Sequence, residues 1–270
     1  MKIERRYLTI LIIQITEVMG FSLILPFLPF FVQQLGATPF TFGLILASFS
    51  LFQFISSPIL GRLSDHYGRK PLLILSQLST FASFLILGFA DSIFLVFLSR
   101  IVDGILGSNM TIAQAYLSDI STKKDRSKAF GVSGVAFAIG FMVGPAIGGF
   151  LATIDYSIPS FIAAGFSLLT VAITYFFLPE TVSRTKRFTF SWSMFGLQGF
   201  SKYFSNPRVS RKLWQLFTYL LTHSLWISSL ALFAEKQLDF GPQEMGFVLM
   251  TIGIINIILR GFLLGKIIDF

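Results

Sequence analysis

Three ionisable side chains stand where an apolar sequence makes charge expensive. Glu17 lies in the apolar run 7–31, and Arg100 and Asp103 lie three residues apart in the run 93–116. A charge inside a stretch long enough to cross a bilayer normally faces a bundle interior or a water-filled path, and it marks a proton or ion route. Gln14, Glu17 and Gly20 fall at three-residue steps on one helical stripe, and no basic residue lies within a turn of Glu17. That makes its carboxyl a candidate proton carrier or a site for a cationic substrate. Asp103 is within reach of Arg100 at i+3, which leaves two readings open: a structural salt bridge, or a carboxyl that shares proton duty. Gln53, Asn109, Gln114 and His223 are polar residues within further apolar runs and, with Gln14, are candidates to line a substrate cavity. A lone histidine such as His223 is as readily a hydrogen-bonded packing residue.

Other chemistries lack their residues. The chain has no cysteine, which removes thiol nucleophiles, disulfides and sulfur-ligated metals. It has no glycine-rich loop ending in Lys-Ser or Lys-Thr, no paired metal-ligand motif and no nucleophile beside a base. An ATP-driven pump and an enzyme are therefore disfavoured, and no cofactor or metal is expected.

The elements that must position these side chains are membrane spans. Hydrophobic residues make up 54% of the chain and charged residues 13%, against about 25% charged in an ordinary soluble domain. Eight runs reach the roughly 20 mostly apolar residues a span needs: 7–31, 41–60, 71–90, 93–116, 129–152, 157–178, 213–234 and 246–264. The fold class is an all-α polytopic membrane protein embedded in a lipid bilayer. The N-terminus runs into its first apolar segment with no small-residue cleavage site, as a retained helix does. Of the 21 Lys and Arg, all but Lys236, Arg100 and Arg260 fall on one side of the resulting topology. The positive-inside rule then places both termini in the cytoplasm. Because the charges sit in short connections, the net charge of +8 encodes orientation and gives no continuous face for nucleic acid. The one long connection, 182–212, mixes basic and aromatic residues and suits a segment in the cytoplasmic interface, with a short amphipathic helix near 194–204.

The connection from Gly61 to Pro71 concentrates Gly61, Arg62, Asp65, Gly68, Arg69 and Lys70 in a few positions, more than a plain turn requires. Gly61 would let its helix approach a neighbour closely, and Gly68 permits a turn at positive φ. Asp65, near a helix end, can meet a basic residue or a helix N-terminus. Part of the pattern returns. Pro39 and Gly43 are matched by Pro242 and Gly246, and Gly61 and Asp65 by Gly265 and Asp269, at nearly the same separation. The last two spans thus repeat the first two. On the fifth span Gly140, Gly144 and Gly148 recur every four residues, with Pro145 and Gly149 beside them. That is a smooth surface for close helix contact, expected to kink at Pro145 and to meet the other half of the molecule.

These motifs carry a resemblance. Gly61-x-x-x-Asp65-x-x-Gly68-Arg69-Lys70 resembles the loop between helices 2 and 3 of the major facilitator superfamily. Arg100-Ile-Val-Asp103-Gly104-Ile-Leu-Gly107 resembles its helix 4 motif, and Gly140-x-x-x-Gly144-Pro145-x-x-Gly148-Gly149 its antiporter motif on helix 5. Leu178-Pro179-Glu180-Thr181 closes helix 6 as is common there. Glu17-Val-Met-Gly20, the run 25–29 and the run 115–120 are most similar to the tetracycline-resistance branch of drug/proton antiporters.

The resemblance implies a six-helix N-terminal half (1–181), a cytoplasmic linker (182–212) and the first two helices of a C-terminal half (213–270). It implies proton-coupled efflux of small amphipathic compounds by alternating access, from the inner (plasma) membrane, with uptake by symport as the alternative. It makes Asp65 a latch between halves and pairs Arg69 with Asp119; taken with the buried charges of the spans, it leaves Glu17, Arg100 and Asp103 as the expected coupling residues. Family members usually carry an uncharged residue where Asp103 stands, and the tetracycline-type exporters carry Asp where Glu17 stands. They have twelve spans or more, so the resemblance suggests a fragment of a longer transporter, monomeric when complete.

Overall fold

Proline and glycine, more than apolar length, decide where the helices of this chain begin and end. The computed structural model describes residues 2–182 and 204–258, with side chains from residue 5 onward. Ten helices are present among the described residues: α1 (Lys2–Ile24), α2 (Leu28–Gln34), α3 (Pro39–Tyr67), α4 (Arg69–Gly88), α5 (Ile93–Leu106), α6 (Asn109–Ile120), α7 (Arg126–Ala152), α8 (Ser157–Phe177), α9 (Pro207–Leu238) and α10 (Pro242–Ile258). They supply seven stretches long and apolar enough to cross a membrane, plus the shorter apolar α10. All but the last residue of the interfacial helix expected near 194–204 lies outside the described residues, as do Arg260 and the second motif copy at Gly265 and Asp269.

Two spans that read as continuous are broken. The first splits into α1 and α2 at 25–27, because Pro26 has no N–H to continue the ladder. Leu25 and Phe27 reach back only three residues, to Ser22 O and Ile24 O at 3.3 Å each. The fourth splits into α5 and α6 at Gly107 and Ser108, next to Asp103.

The connection 61–71 is helical almost throughout. α3 continues to Tyr67 and α4 starts at Arg69, so Gly68 is the whole joint. Its φ of 110° and ψ of 149° form a backbone state close to glycine-only territory.

α1 runs through the bundle and packs on α7, α8 and α6, while α4 packs on α8 and α5. Their buried apolar residues form two layers. One contains Leu23, Phe27, Ile45, Phe84, Leu87 and Ala163, and the other Ile10, Ile13, Leu73, Tyr116, Leu117 and Leu178. Glu17 lies between them along α1, as Thr80 does along α4. The polar level is thus bracketed by buried apolar side chains on both sides.

The glycines of α7 serve two different neighbours. A Cβ on Gly140 would come 2.7 Å from Ile15 O, and one on Gly148 would enter the backbone of Leu23. One on Gly144 would strike Ser22 Oγ, so all three glycines seat α1, within the first six spans. The contact expected between halves is made instead by Pro145 and Gly149. A Cβ on Gly246 of α10 would lie 2.5 Å from Pro145 O, and one on Gly149 would meet Pro242 O. α7 remains one helix through Pro145.

Candidate functional site

The polar level is a hydrogen-bonded chain drawn from five helices. Glu17 of α1 accepts from Thr170 Oγ1 of α8 at 2.6 Å on Oε1 and from Asn109 Nδ2 of α6 at 2.7 Å on Oε2. The same Asn109 nitrogen donates to Thr80 Oγ1 of α4 at 3.0 Å, and Thr80 donates to Asp103 Oδ1 of α5 at 2.8 Å. Glu17 and Asp103, 86 positions apart in sequence by number, are therefore joined by one amide and one hydroxyl. Asp103 is 5% exposed and Glu17 half-buried. Both border a cavity of about 260 Å³ whose wall also carries Gln53, Asn109, Phe49, Phe84 and Phe137.

The helix break explains how Asn109 gets there. Ending α5 at Leu106 and restarting at Asn109 sets this amide at the first position of α6, facing Glu17. Neighbouring side chains engage the carbonyls around the interruption: Gln53 Nε2 donates to Gly107 O at 3.1 Å and Ser56 Oγ to Gly104 O at 2.8 Å. Such bonds substitute for water that a bilayer interior cannot supply. Gly104 permits the approach, since a Cβ there would sit 2.8 Å from Phe49 O.

Arg100 does not pair with Asp103. Among the described residues no ion pair within 4.0 Å joins them, although they are three residues apart on one helix. The carboxyl of Asp103 turns to Thr80 and over Gly107, where a Cβ would collide with it. Arg100, 4% exposed, is held by Ser83 Oγ at 3.1 Å and Ser99 Oγ at 3.3 Å, with its guanidinium 5.9 Å from the centre of the Phe84 ring. A buried cation held by hydroxyls and an aromatic ring keeps its charge available to the neighbouring carboxyls.

A second cluster surrounds the α3–α4 joint. Arg69 is buried, donates from Nε to Asp119 Oδ2 at 2.9 Å, and forms an ion pair with Asp65 one turn earlier. Its Nη1 donates to Ser64 Oγ at 2.6 Å and to Gly61 O at 3.4 Å. Gly61 makes no close helix contact among the described residues, its nearest neighbour being Thr111 Cγ2 at 3.9 Å from an added Cβ. Its part is the carbonyl it offers. Glu180, just past α8, accepts the backbone N–H of Arg69 at 2.9 Å and of Lys70 at 3.1 Å, capping α4 with an anion.

Of the polar residues expected along the cavity, Gln53 and Asn109 border it. Gln14 is buried one turn away, accepting from Ser133 Oγ at 2.9 Å and donating weakly to Met110 Sδ at 3.8 Å. Gln114 is exposed on α6, and His223 is exposed on α9 between Tyr219 and Trp226. Neither borders this cavity. Sequence reasoning passed over Thr80, Thr170 and Glu180. The hydroxyls are ordinary helix residues in sequence, whereas the position of Glu180 in Leu-Pro-Glu-Thr was a signal that could have found it.

A bundle of membrane-length helices with a buried carboxyl pair on an internal cavity has the architecture of a transporter. Residues 10–270 match the family model of the Major Facilitator Superfamily. The chain belongs to that superfamily, a family of multi-pass membrane transporters and not of enzymes. It is 30% identical over 261 residues to the class B tetracycline resistance protein of Escherichia coli, covering 95% of this chain and 65% of that protein. It is 30% identical over 269 residues to multidrug resistance protein 2 of Bacillus subtilis (strain 168), covering 97% and 67%. The chain thus spans about two thirds of the length of these curated relatives. In fold it is similar to the crystal structure of the human organic anion transporter MFSD10 (TETRAN), with a TM-score of 0.77 at 23% identity, over 97% of this chain and 72% of that one.

Proposed function

We propose that this chain serves proton-coupled efflux of small amphipathic compounds, exchanging drug for proton by alternating access in a bacterial inner membrane. The observation that carries the reading is the link from Glu17 through Asn109 and Thr80 to Asp103 on the wall of an aromatic-lined cavity. Two carboxyls there can exchange protons with cavity water while apolar layers above and below limit leakage. Phenylalanines on the same wall offer adaptable contact to an apolar body, and Gln53 and Asn109 offer polar contacts. Arg100 supplies the fixed positive charge against which proton loading is set. Relatives named for tetracycline and multidrug resistance support efflux of drug-like compounds over metabolite uptake.

In this reading residues 1–181 form one half, 182–212 a cytoplasmic linker and 213–270 part of the second half, with both termini cytoplasmic and the complete protein monomeric. Arg69, Asp65 and Asp119, with Gly61 and Gly68, form the cytoplasmic gate, whose ion pairs exchange partners as the halves rock. Gly140, Gly144 and Gly148 hold α1, and with it Glu17, rigidly on α7, while Pro145 and Gly149 seal the contact with α10.

Everted vesicles carrying the full gene product, with tetracycline and ethidium as probes, test this. The expected result is probe accumulation that releases lumenal protons, stops when the pH gradient is collapsed, and is lost in Glu17→Gln. Accumulation that survives collapse of the gradient, or probe and protons moving in the same direction, overturns it.

A further inference from the structure

We infer that Thr80 and Asn109 make Glu17 and Asp103 one coupled proton site, with the Asn109 amide as its switch; this rests on the proton-coupled reading above. Hydrogen-bond directions carry the inference. A primary amide has two N–H donors and one carbonyl acceptor. Both Asn109 donors are engaged, on Glu17 Oε2 at 2.7 Å and on Thr80 Oγ1 at 3.0 Å. Thr80, already accepting from the amide, directs its single hydroxyl proton to Asp103 Oδ1 at 2.8 Å. The amide oxygen of Asn109 is buried and accepts no hydrogen bond within the protein. Every donor on this chain therefore points outward from the amide, directly to Glu17 and by way of the Thr80 hydroxyl to Asp103, an arrangement that suits two ionised carboxylates.

Protonating Glu17 on Oε2 reverses the chain. The proton is delivered by a hydronium in the cavity, so the new O–H on Glu17 is the only covalent bond formed, one O–H of the hydronium is the only one broken, and neutral water is left behind. Glu17 then presents a donor to a donor. Rotating the amide about its terminal torsion brings Oδ1 to the place of Nδ2, where its two lone pairs accept from Glu17 and from Thr80. The Thr80 hydroxyl turns away from Asp103, which loses a donor that a buried carboxylate has few means to replace. The state of one carboxyl thus sets the hydrogen bonding of the other, in addition to their through-space interaction.

The charged groups facing this cluster among the described residues are Asp103 and Arg100, both on α5. The helices packed around it contribute uncharged groups: Gln77 and Thr80 from α4, Asn109 from α6, Phe137 from α7 and Thr170 from α8. Among the described residues no third ionisable side chain intervenes between the two carboxyls.

The test is an infrared pH titration of the full chain in lipid nanodiscs, with the Glu17 band assigned by its loss in E17Q and the Asp103 band by its loss in D103N. D103N is expected to move the Glu17 midpoint by about one pH unit in the otherwise native chain, the scale on which two sites titrate as a pair. In a T80V background the same D103N change is expected to move it by less than half as much, and T80S restores the full effect. N109A supplies the same comparison if T80V does not fold. An equal effect of D103N in the native and T80V (or N109A) backgrounds overturns the switch, leaving charge alone as the coupling; so does no effect of D103N in the native chain. Neither band depends on transport. A chain with the coupled titration that moves no substrate overturns the efflux reading and leaves the paired site standing.

Discussion

The carboxylate of Glu180 receives the backbone N–H groups of Arg69 and Lys70 at 2.9 and 3.1 Å, so the end of one span caps the start of another 111 residues earlier. The cap joins α8 to the same residue whose side chain holds Asp65 and Asp119. Removing it with Glu180→Ala is expected to cost about 1 kcal/mol, as for other helix N-terminal caps, read as a lower thermal unfolding midpoint in detergent. Glu180→Gln keeps an acceptor and loses less.

Gly68 stands between the same two helices with nowhere to put a side chain. Its backbone is in a region other residues avoid, and an added Cβ would run into the Glu180 carboxylate. Gly68→Ala is expected to destabilise by about 2 kcal/mol. Combining it with Glu180→Ala tests the shared cause, because the double variant should lose less than the two single losses together.

Thr170 gives Glu17 its shortest hydrogen bond, at 2.6 Å. Thr170→Val keeps the shape and removes the donor, at an expected stability cost of about 1 kcal/mol, the scale of polar contacts between membrane helices. If Glu17 carries the proton, the pH optimum of efflux moves as well, whereas a merely structural contact would lower activity at every pH alike. Transport assays in vesicles across a pH series separate the two.

Glycines of equal appearance should respond in opposite ways. Gly148→Val drives a side chain into the Leu23 backbone, and overpacking of this kind is expected to cost about 3 kcal/mol or more. Gly43, inside α3, has nothing within 4 Å of an added Cβ, and Gly43→Ala is expected to raise the stability of this chain by about 0.5 kcal/mol through lost backbone freedom alone. Thermal unfolding of the two variants in one detergent decides it.

At the α7–α8 turn, outside the spans, Asp155 accepts from the Ser157 side chain and from its backbone N–H at 2.7 Å. These bonds hold its carboxyl below the ordinary carboxylate value. The folded-state value therefore lies below the unfolded one, and the stability it contributes is present above about pH 4 and lost as the pH falls through the folded value. The unfolding midpoints of the native chain and Asp155→Ala should differ at neutral pH and converge in acid.

Seven of the eight expected spans, and the residues worth watching, were legible because bilayer thickness imposes a length and penalises charge, and both leave marks on a single line of text. Glu17, Arg100 and Asp103 stood out for that reason. Their arrangement was not legible. Spacing alone puts Arg100 beside Asp103, yet Thr80, from another helix, competes successfully for the carboxylate. Thr80 and Thr170 were invisible because a hydroxyl in an apolar helix normally satisfies itself on its own backbone. The destination of the α7 glycine stripe was equally hidden: the period shows that a face is smooth and says nothing of which neighbour lies on it. The breaks at Pro26 and at Gly107 were written in the residue types, but an apolar count overrides such punctuation.

The contact between α7 and α10 has a mechanical consequence. Pro145 O and Gly149 meet Gly246 and Pro242 backbone to backbone, and further along α10 Gly253 lies against the Cα and Cβ of Met142. Interlocked side chains must change rotamer before two helices can turn on each other, and each change adds a barrier. A joint made largely of main chain and glycine has fewer such barriers to cross, and so behaves more like a plain bearing than a gear: it fixes the distance between two rods more firmly than their angle.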